Sequence, residues 1–212
     1  MKGFKFFWSF VKNSYVEILE NKPTYLSAFI ALIFLGNVET VFPMLGVVAE
    51  SNVFIFLTIA ATLGTFIILS QVVLIQKKSH GGTGELKYFV PTFLLYNLYY
   101  SFLFFAGLLF LVVPGFYVLI FFSMVPFVAV LDDECQGSFF KESKLLVKKN
   151  IGLVAWASVT NLLVEFSALL VSPIQNQTIK GVANFFISIP DAFFTLLMTV
   201  ATVKIYYYLK RL

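Results

Sequence analysis

Apolar residues fill this chain in long blocks, and the polar positions between them fall at intervals that suit membrane crossings. From Tyr88 to Leu131 there is no charged residue across forty-four positions, and the run closes in Asp132-Asp133-Glu134. As one helix it would extend about 66 Å at about 1.5 Å per residue, against a hydrocarbon core of about 30 Å. The run is long enough to cross twice. Pro114 removes a helix hydrogen bond, and Gly115 beside it supplies turn freedom. The pattern predicts a helical hairpin, 91–113 and 115–131, whose halves are antiparallel neighbours because almost no loop separates them.

The same arithmetic marks four further spans: 24–42, closed by Pro43; 53–75, ending at Gln76-Lys77-Lys78; 152–171, closed by Ser172-Pro173; and 185–209, followed by Lys210-Arg211. The expected fold is an all-α integral membrane domain of six transmembrane helices over 1–212. Ahead of the first span, Phe4, Phe7, Trp8, Val11, Tyr15, Ile18 and Leu19 recur at helical spacing, with Lys5, Ser9, Lys12, Asn13 and Glu17 on the other faces. An amphipathic helix over 4–20 follows. Its apolar face suits either the headgroup layer or the protein's own bundle.

A second such segment, 138–149, precedes the fifth span. Ser138 to Asn150 matches Ser9 to Asn21 at five of thirteen positions: Ser, Phe, Lys, Ser and Asn. Each copy leads into a span closed by a proline, then an outer loop and a span ending in basic residues. The two halves read as a candidate parallel internal repeat, with the central hairpin inserted between them.

Charge orients the fold. Of fifteen Lys and Arg, all but Lys180 fall on one side of a six-span arrangement, which places both termini in the cytoplasm. Both amphipathic helices then lie on the cytoplasmic side, where Lys5, Lys12, Lys141, Lys144, Lys148 and Lys149 face anionic lipid. Composition agrees: 12% charged and 59% hydrophobic residues, with 27 Phe, cannot supply the polar shell of a soluble domain. The net charge of +4 is thus a topology signal and no sign of nucleic acid. The N-terminus has no h-region free of polar residues and no small-residue cleavage site, so the first span is expected to be an uncleaved anchor.

Catalytic chemistry is sparse. A single cysteine, Cys135, excludes an internal disulfide and a Cys-based metal site, and the single histidine, His80, lies in a polar loop. Gly81-Gly82-Thr83-Gly84 lacks the lysine of a phosphate-binding loop and a strand before it. Asn176-Gln177-Thr178 has the form of a glycosylation sequon that would hug the membrane. No catalytic residue, cofactor or metal is expected.

Pro114-Gly115-Phe116-Tyr117, the apolar run closing in Asp132-Asp133, then Ser138-Phe139, Ser143, Leu145 and Lys148-Lys149-Asn150 carry a resemblance. The stretch from about 107 to 156 resembles the YciC-like proteins, a family of bacterial six-span inner-membrane proteins. It also resembles the membrane domain fused to some glycerophosphodiester phosphodiesterases. The resemblance covers about a quarter of the chain. It implies a bacterial inner-membrane location and this topology, and it transfers no catalytic residue, because the phosphodiesterase activity of the fused relatives resides in a separate soluble barrel.

Ionisable groups within spans are functional candidates by default. Glu39, just before Pro43, is placed to snorkel to the outer interface. Asp191 after Pro190 suits the first turn of the sixth helix, with Lys180 as a partner. Glu165 shares a helix face with Asn161, and with Gln71 and Asn97 these form a candidate intramembrane polar cluster, either bonding between helices or lining a solute or proton path. The leading expectation is a non-enzymatic scaffold, regulator or partner subunit in envelope or lipid homeostasis, contacting anionic lipids and a membrane-protein partner. The alternative is a small transporter or permease component for a lipid or small solute.

Overall fold

The computed structural model describes residues 2–38, 51–110, 112–135, 137–165 and 177–212. They form nine helices and no strand. We label them α1 (Lys2–Glu20), α2 (Lys22–Gly36), α3 (Ser51–Ser79), α4 (Leu86–Phe110), α5 (Val112–Phe121), α6 (Val125–Leu131), α7 (Phe139–Lys149), α8 (Ile151–Glu165) and α9 (Gln177–Arg211). Four stretches are long and apolar enough to cross a membrane: Ile55–Ser79, Leu86–Phe110, Val112–Leu131 and Val182–Arg211. The α1–α2 pair, bent by 103°, makes a fifth if it is taken as one span, and Ile151–Leu163 is a shorter apolar helix. Of the predicted first and fifth spans, residues 39–42 and 166–171 lie outside the described residues.

The hairpin forms as its length requires, with different boundaries. Its first helix starts at Leu86, upstream of Pro91, and the second begins at Val112, ahead of Pro114. Pro114 therefore sits in a first turn, where a missing N–H has no intrahelical partner to lose. The predicted 115–131 helix is not continuous. It breaks at Phe122-Ser123-Met124 between α5 and α6, where Pro126 occupies the opening turn. Ser143 of α7 donates to the Phe121 carbonyl at 2.8 Å, satisfying one acceptor that the break exposes.

Two glycines let the hairpin close. A Cβ at Gly107 would lie 2.9 Å from the Gly115 nitrogen and 3.0 Å from its Cα, so the backbones of α4 and α5 meet there without side chains between them. Lipid-facing positions are legible on the same helices: Phe102, Phe105, Leu109 and Phe110 of α4 are all exposed, Leu109 by 86%. So large an apolar face has no place in water.

The core forms around α9. Leu196, Leu197, Met198, Val200, Val203 and Ile205 are buried, and α9 packs on α1, α2, α3, α7 and α8. Pro190 lies inside this helix, near a hydrogen-bonded pair in which Asn37, just past the end of α2, donates to Ser188 Oγ at 2.6 Å. Neighbours of this kind let membrane helices tolerate proline. The span predicted over 185–209 accordingly starts upstream, at Val182.

Helix α1 packs one part of its apolar face on the bundle. Phe7, Val11, Ser14 and Ile18 are buried against the bundle, while Phe4, Trp8, Tyr15 and Leu19 on the adjoining arc are exposed beside Lys5 and Lys12. Helix α2 leaves α1 through Asn21 alone, and α8 leaves α7 through Asn150 alone, whose Oδ1 accepts from Leu153 N at 3.1 Å.

Candidate functional site

Helices α3, α4, α8 and α9 and the broken α5–α6 segment enclose a cavity of about 480 Å³. Its lining residues sit midway along their spans. Helix α3 contributes Thr62, Thr65 and Phe66, and α4 contributes Asn97, Tyr100 and Ser101. Ser123 and Met124 enter from the break, and Ser158 and Asn161 from α8. Helix α9 presents Asp191, Thr195, Thr199 and Thr202. An interrupted helix beside a mid-depth polar cavity is an arrangement that solute-binding membrane proteins use.

Five of the hydroxyl groups are held by bonds to their own helices. Thr62 donates to the Thr58 carbonyl at 2.9 Å, Thr65 to Ala61 at 3.0 Å, and Ser123 to Ile120 at 3.0 Å. On α9, Thr199 and Thr202 donate to the carbonyls of Thr195 and Met198, each at 2.8 Å. Asn97 Nδ2 donates to the Phe93 carbonyl at 2.8 Å. Asp191 and Tyr100 are likewise engaged within the fold. No Lys, Arg or His is found among the described residues that line the cavity.

Below the cavity, ion pairs tie the helix ends together at the basic end of the bundle. Lys77 Nζ meets Asp133 Oδ1 at 2.6 Å and the Val130 carbonyl at 2.9 Å, and Lys210 meets Asp132 Oδ2 at 2.6 Å. The acids that close the long apolar run are therefore the docking points for the ends of α3 and α9. Lys204 of α9 meets Glu17 Oε2 at 2.6 Å, while Tyr25 donates to Glu17 Oε1 at 2.9 Å and Gln76 donates to the same oxygen. Burial pushes the Glu17 carboxyl up, but the bonds from Lys204, Gln76 and Tyr25 together outweigh it and hold it below the ordinary carboxylate range.

The structure regroups the sequence candidates. Asn97 and Asn161 line the cavity together, whereas Gln71 is exposed and stands apart from it. Asp191 is no helix cap: α9 begins at Gln177, so the residue lies well inside the helix and faces the cavity. The side chains of Glu165 and Lys180 and the whole of Glu39 lie outside the described residues. Lys5, Lys12, Lys141 and Lys148 are exposed; Lys144 stands 5.5 Å from the Tyr117 ring, and Lys149 donates to the Leu209 carbonyl at 2.9 Å. His80 stacks on Tyr207 at 4.2 Å, which gives that loop residue a packing role. Among the described residues no three His, Cys, Asp or Glu side chains converge on a metal-sized point. The stripe Asp191, Thr195, Thr199 and Thr202 was readable as a polar helix face, since spacings of three and four share a side.

No protein-family model, curated protein or solved structure matches this chain.

Proposed function

We propose that this chain is a six-span, non-enzymatic protein of the bacterial inner membrane with cytoplasmic termini, working as a transporter or permease component for a small polar solute. The observation that carries this reading is the mid-depth cavity beside a broken helix, lined by Asp191, two asparagines and a set of hydroxyls. Polar groups at that depth are costly unless they serve a path or a ligand. The volume falls within the usual range for small-molecule sites, roughly 300–1,000 Å³. Two further features support the layout. The matched asparagines, Asn21 and Asn150, each separate an amphipathic helix from an apolar one, as a parallel repeat requires. At 103° to α2, helix α1 lies along the membrane plane when α2 crosses it. The YciC-like resemblance supports the location.

A scaffold or partner-subunit reading is favoured by a separate observation, the exposed Phe4, Trp8, Tyr15 and Leu19 beside Lys5 and Lys12. That face suits an anionic lipid surface. Thiol labelling separates the two. In a Cys135→Ser background, Ser123→Cys places a reporter thiol on the cavity wall. A transporter exposes it to impermeant reagent from each side of the membrane in turn; a thiol reached from neither side, together with a stoichiometric partner in native mass spectrometry, would establish the scaffold instead. Orientation has its own test. An impermeant reagent that labels native Cys135 from outside intact cells, but not a cysteine placed at Asn176, reverses the topology.

A further inference from the structure

We propose that the cavity takes a small organic ammonium ion, bound by Asp191 and by hydroxyl oxygens whose hydrogens are already committed to their own helices. This rests on the solute-binding reading and names the ligand class.

A serine or threonine hydroxyl carries one hydrogen and two lone pairs. Thr65, Ser123, Thr199 and Thr202 each give that hydrogen to a carbonyl of their own helix. A carbonyl cannot donate, so the direction of each bond is fixed by chemistry. What these four side chains have left for a ligand is lone pairs. Asn97 gives one Nδ2 hydrogen to the Phe93 carbonyl and keeps a second N–H and its carbonyl oxygen, so it can serve a ligand as donor or acceptor. The four committed hydroxyls therefore face the cavity as acceptors and favour a ligand that brings hydrogens, while Ser101, Ser158, Thr195 and Asn161 beside them can donate or accept.

Charge selects further. Asp191 is the acidic residue among the described lining groups and is engaged within the fold; a carboxylate offers about four lone-pair sites, which partners in the fold and a ligand can share. With no cationic side chain among those groups, a phosphate or carboxylate ligand would meet the Asp191 charge and find no counter-charge. A bare monovalent cation has the right sign, but about 480 Å³ far exceeds what one ion fills. The rings of Phe66, Phe93, Phe104 and Phe127 complete the wall with apolar surface and π faces suited to methylene groups and an ammonium head. Acceptors reward N–H bonds, so a primary ammonium should bind more tightly than a quaternary one of similar size.

The test uses the purified full chain in nanodiscs and sodium-free buffer, with n-butylammonium, tetramethylammonium, butanoate and sodium ion as probes. Thermal unfolding is followed against concentration. The expected result is a saturable rise in Tm with n-butylammonium, a weaker one with tetramethylammonium and none with butanoate or sodium. Asp191→Asn should remove the response. Thr65→Val and Thr199→Val, which keep side-chain volume, should each weaken binding about tenfold, the usual loss for one hydrogen bond to a charged group. These two read the site even if the aspartate variant folds poorly. The proposal is overturned if butanoate or sodium stabilises as well as n-butylammonium, if no probe binds, or if neither valine variant changes the affinity. Protection of the Ser123→Cys thiol by butanoate alone would overturn the ligand class while keeping a solute cavity; a thiol unreachable from both sides would remove the transport reading itself.

Discussion

Replacing Gly107 with alanine adds one methyl group at the tightest point of the α4–α5 hairpin. Its nearest neighbours would be the Gly115 nitrogen at 2.9 Å, the Gly115 Cα at 3.0 Å and the Pro114 carbonyl carbon at 3.1 Å, all backbone. No rotamer change relieves such a contact, so the helices must move apart, at an overpacking cost of about 1–3 kcal/mol. Against this, alanine is favoured over glycine in a helix by about 1 kcal/mol. The clash wins by about 1 kcal/mol. The same substitution at Gly64 of α3 meets only the Leu35 Cδ1 and Cδ2 methyls, at 3.1 Å, which can rotate away. There the propensity gain should prevail, and Gly64→Ala should be neutral or stabilising by up to about 1 kcal/mol. Equilibrium unfolding in mixed micelles, followed by far-UV circular dichroism, measures both. A Gly107→Ala protein as stable as Gly64→Ala would refute the close approach on which the hairpin rests.

Two further outcomes follow from the ionic end of the bundle. Asp132→Ala leaves Lys210 without its partner and should destabilise by about 2 kcal/mol; a third of the Lys210 side chain reaches water, which keeps the loss below that of a fully buried pair. Lys210→Met should cost more, because it leaves the buried Asp132 carboxylate without its counter-charge, and a double-mutant cycle showing no coupling between the two positions would remove this pair from the account. Glu17 titrates below its ordinary value of 4.5, so its contribution is complete above that pH and is lost as the pH falls through its lower folded value. Acidification below about pH 4.5 should loosen α1, read by the fluorescence of Trp8 and Trp156, and Glu17→Gln should flatten that response; an unchanged profile in the variant would dissociate Glu17 from the docking of α1.

Much of the fold was legible because it rests on local quantities. The length of the charge-free run demands a hairpin, and the spacing of Phe7, Val11 and Ile18 demands an apolar helix face. What covers a face is not local. The one arc of α1 divides into a half packed on the bundle and a half left exposed, and periodicity treats both halves alike. Asp132 and Asp133 were readable as the end of a span, but their partners lie 78 and 56 positions away in sequence. Pro190 was misleading for a physical reason. In water a proline commonly opens a helix, whereas in a packed membrane bundle the chain on either side of it stays helical, and this moved Asp191 from a cap to the cavity. Gln71 and Asn97 were grouped by polarity alone, and the rotation of α3 separates them.

Helix α9 is synthesised after the other eight, yet it is the helix on which α1, α2, α3 and α8 all pack. During translation its partners must wait in the bilayer for it. Lipid chains can stand in for its apolar surface at little cost, since transmembrane helices gain no hydrophobic driving force from one another. Charged groups are harder to leave waiting, and their placement answers this. Glu17, Asp132 and Asp133, the acids that meet lysines of α9 or α3, are gathered at the basic, water-facing end of the bundle, where an unpaired carboxylate stays hydrated. Asp191, at mid-depth, arrives on α9 itself, together with the threonines that line the cavity beside it. The order in which the chain emerges thus delays the burial of its mid-depth acid until the walls that receive it are already in the membrane.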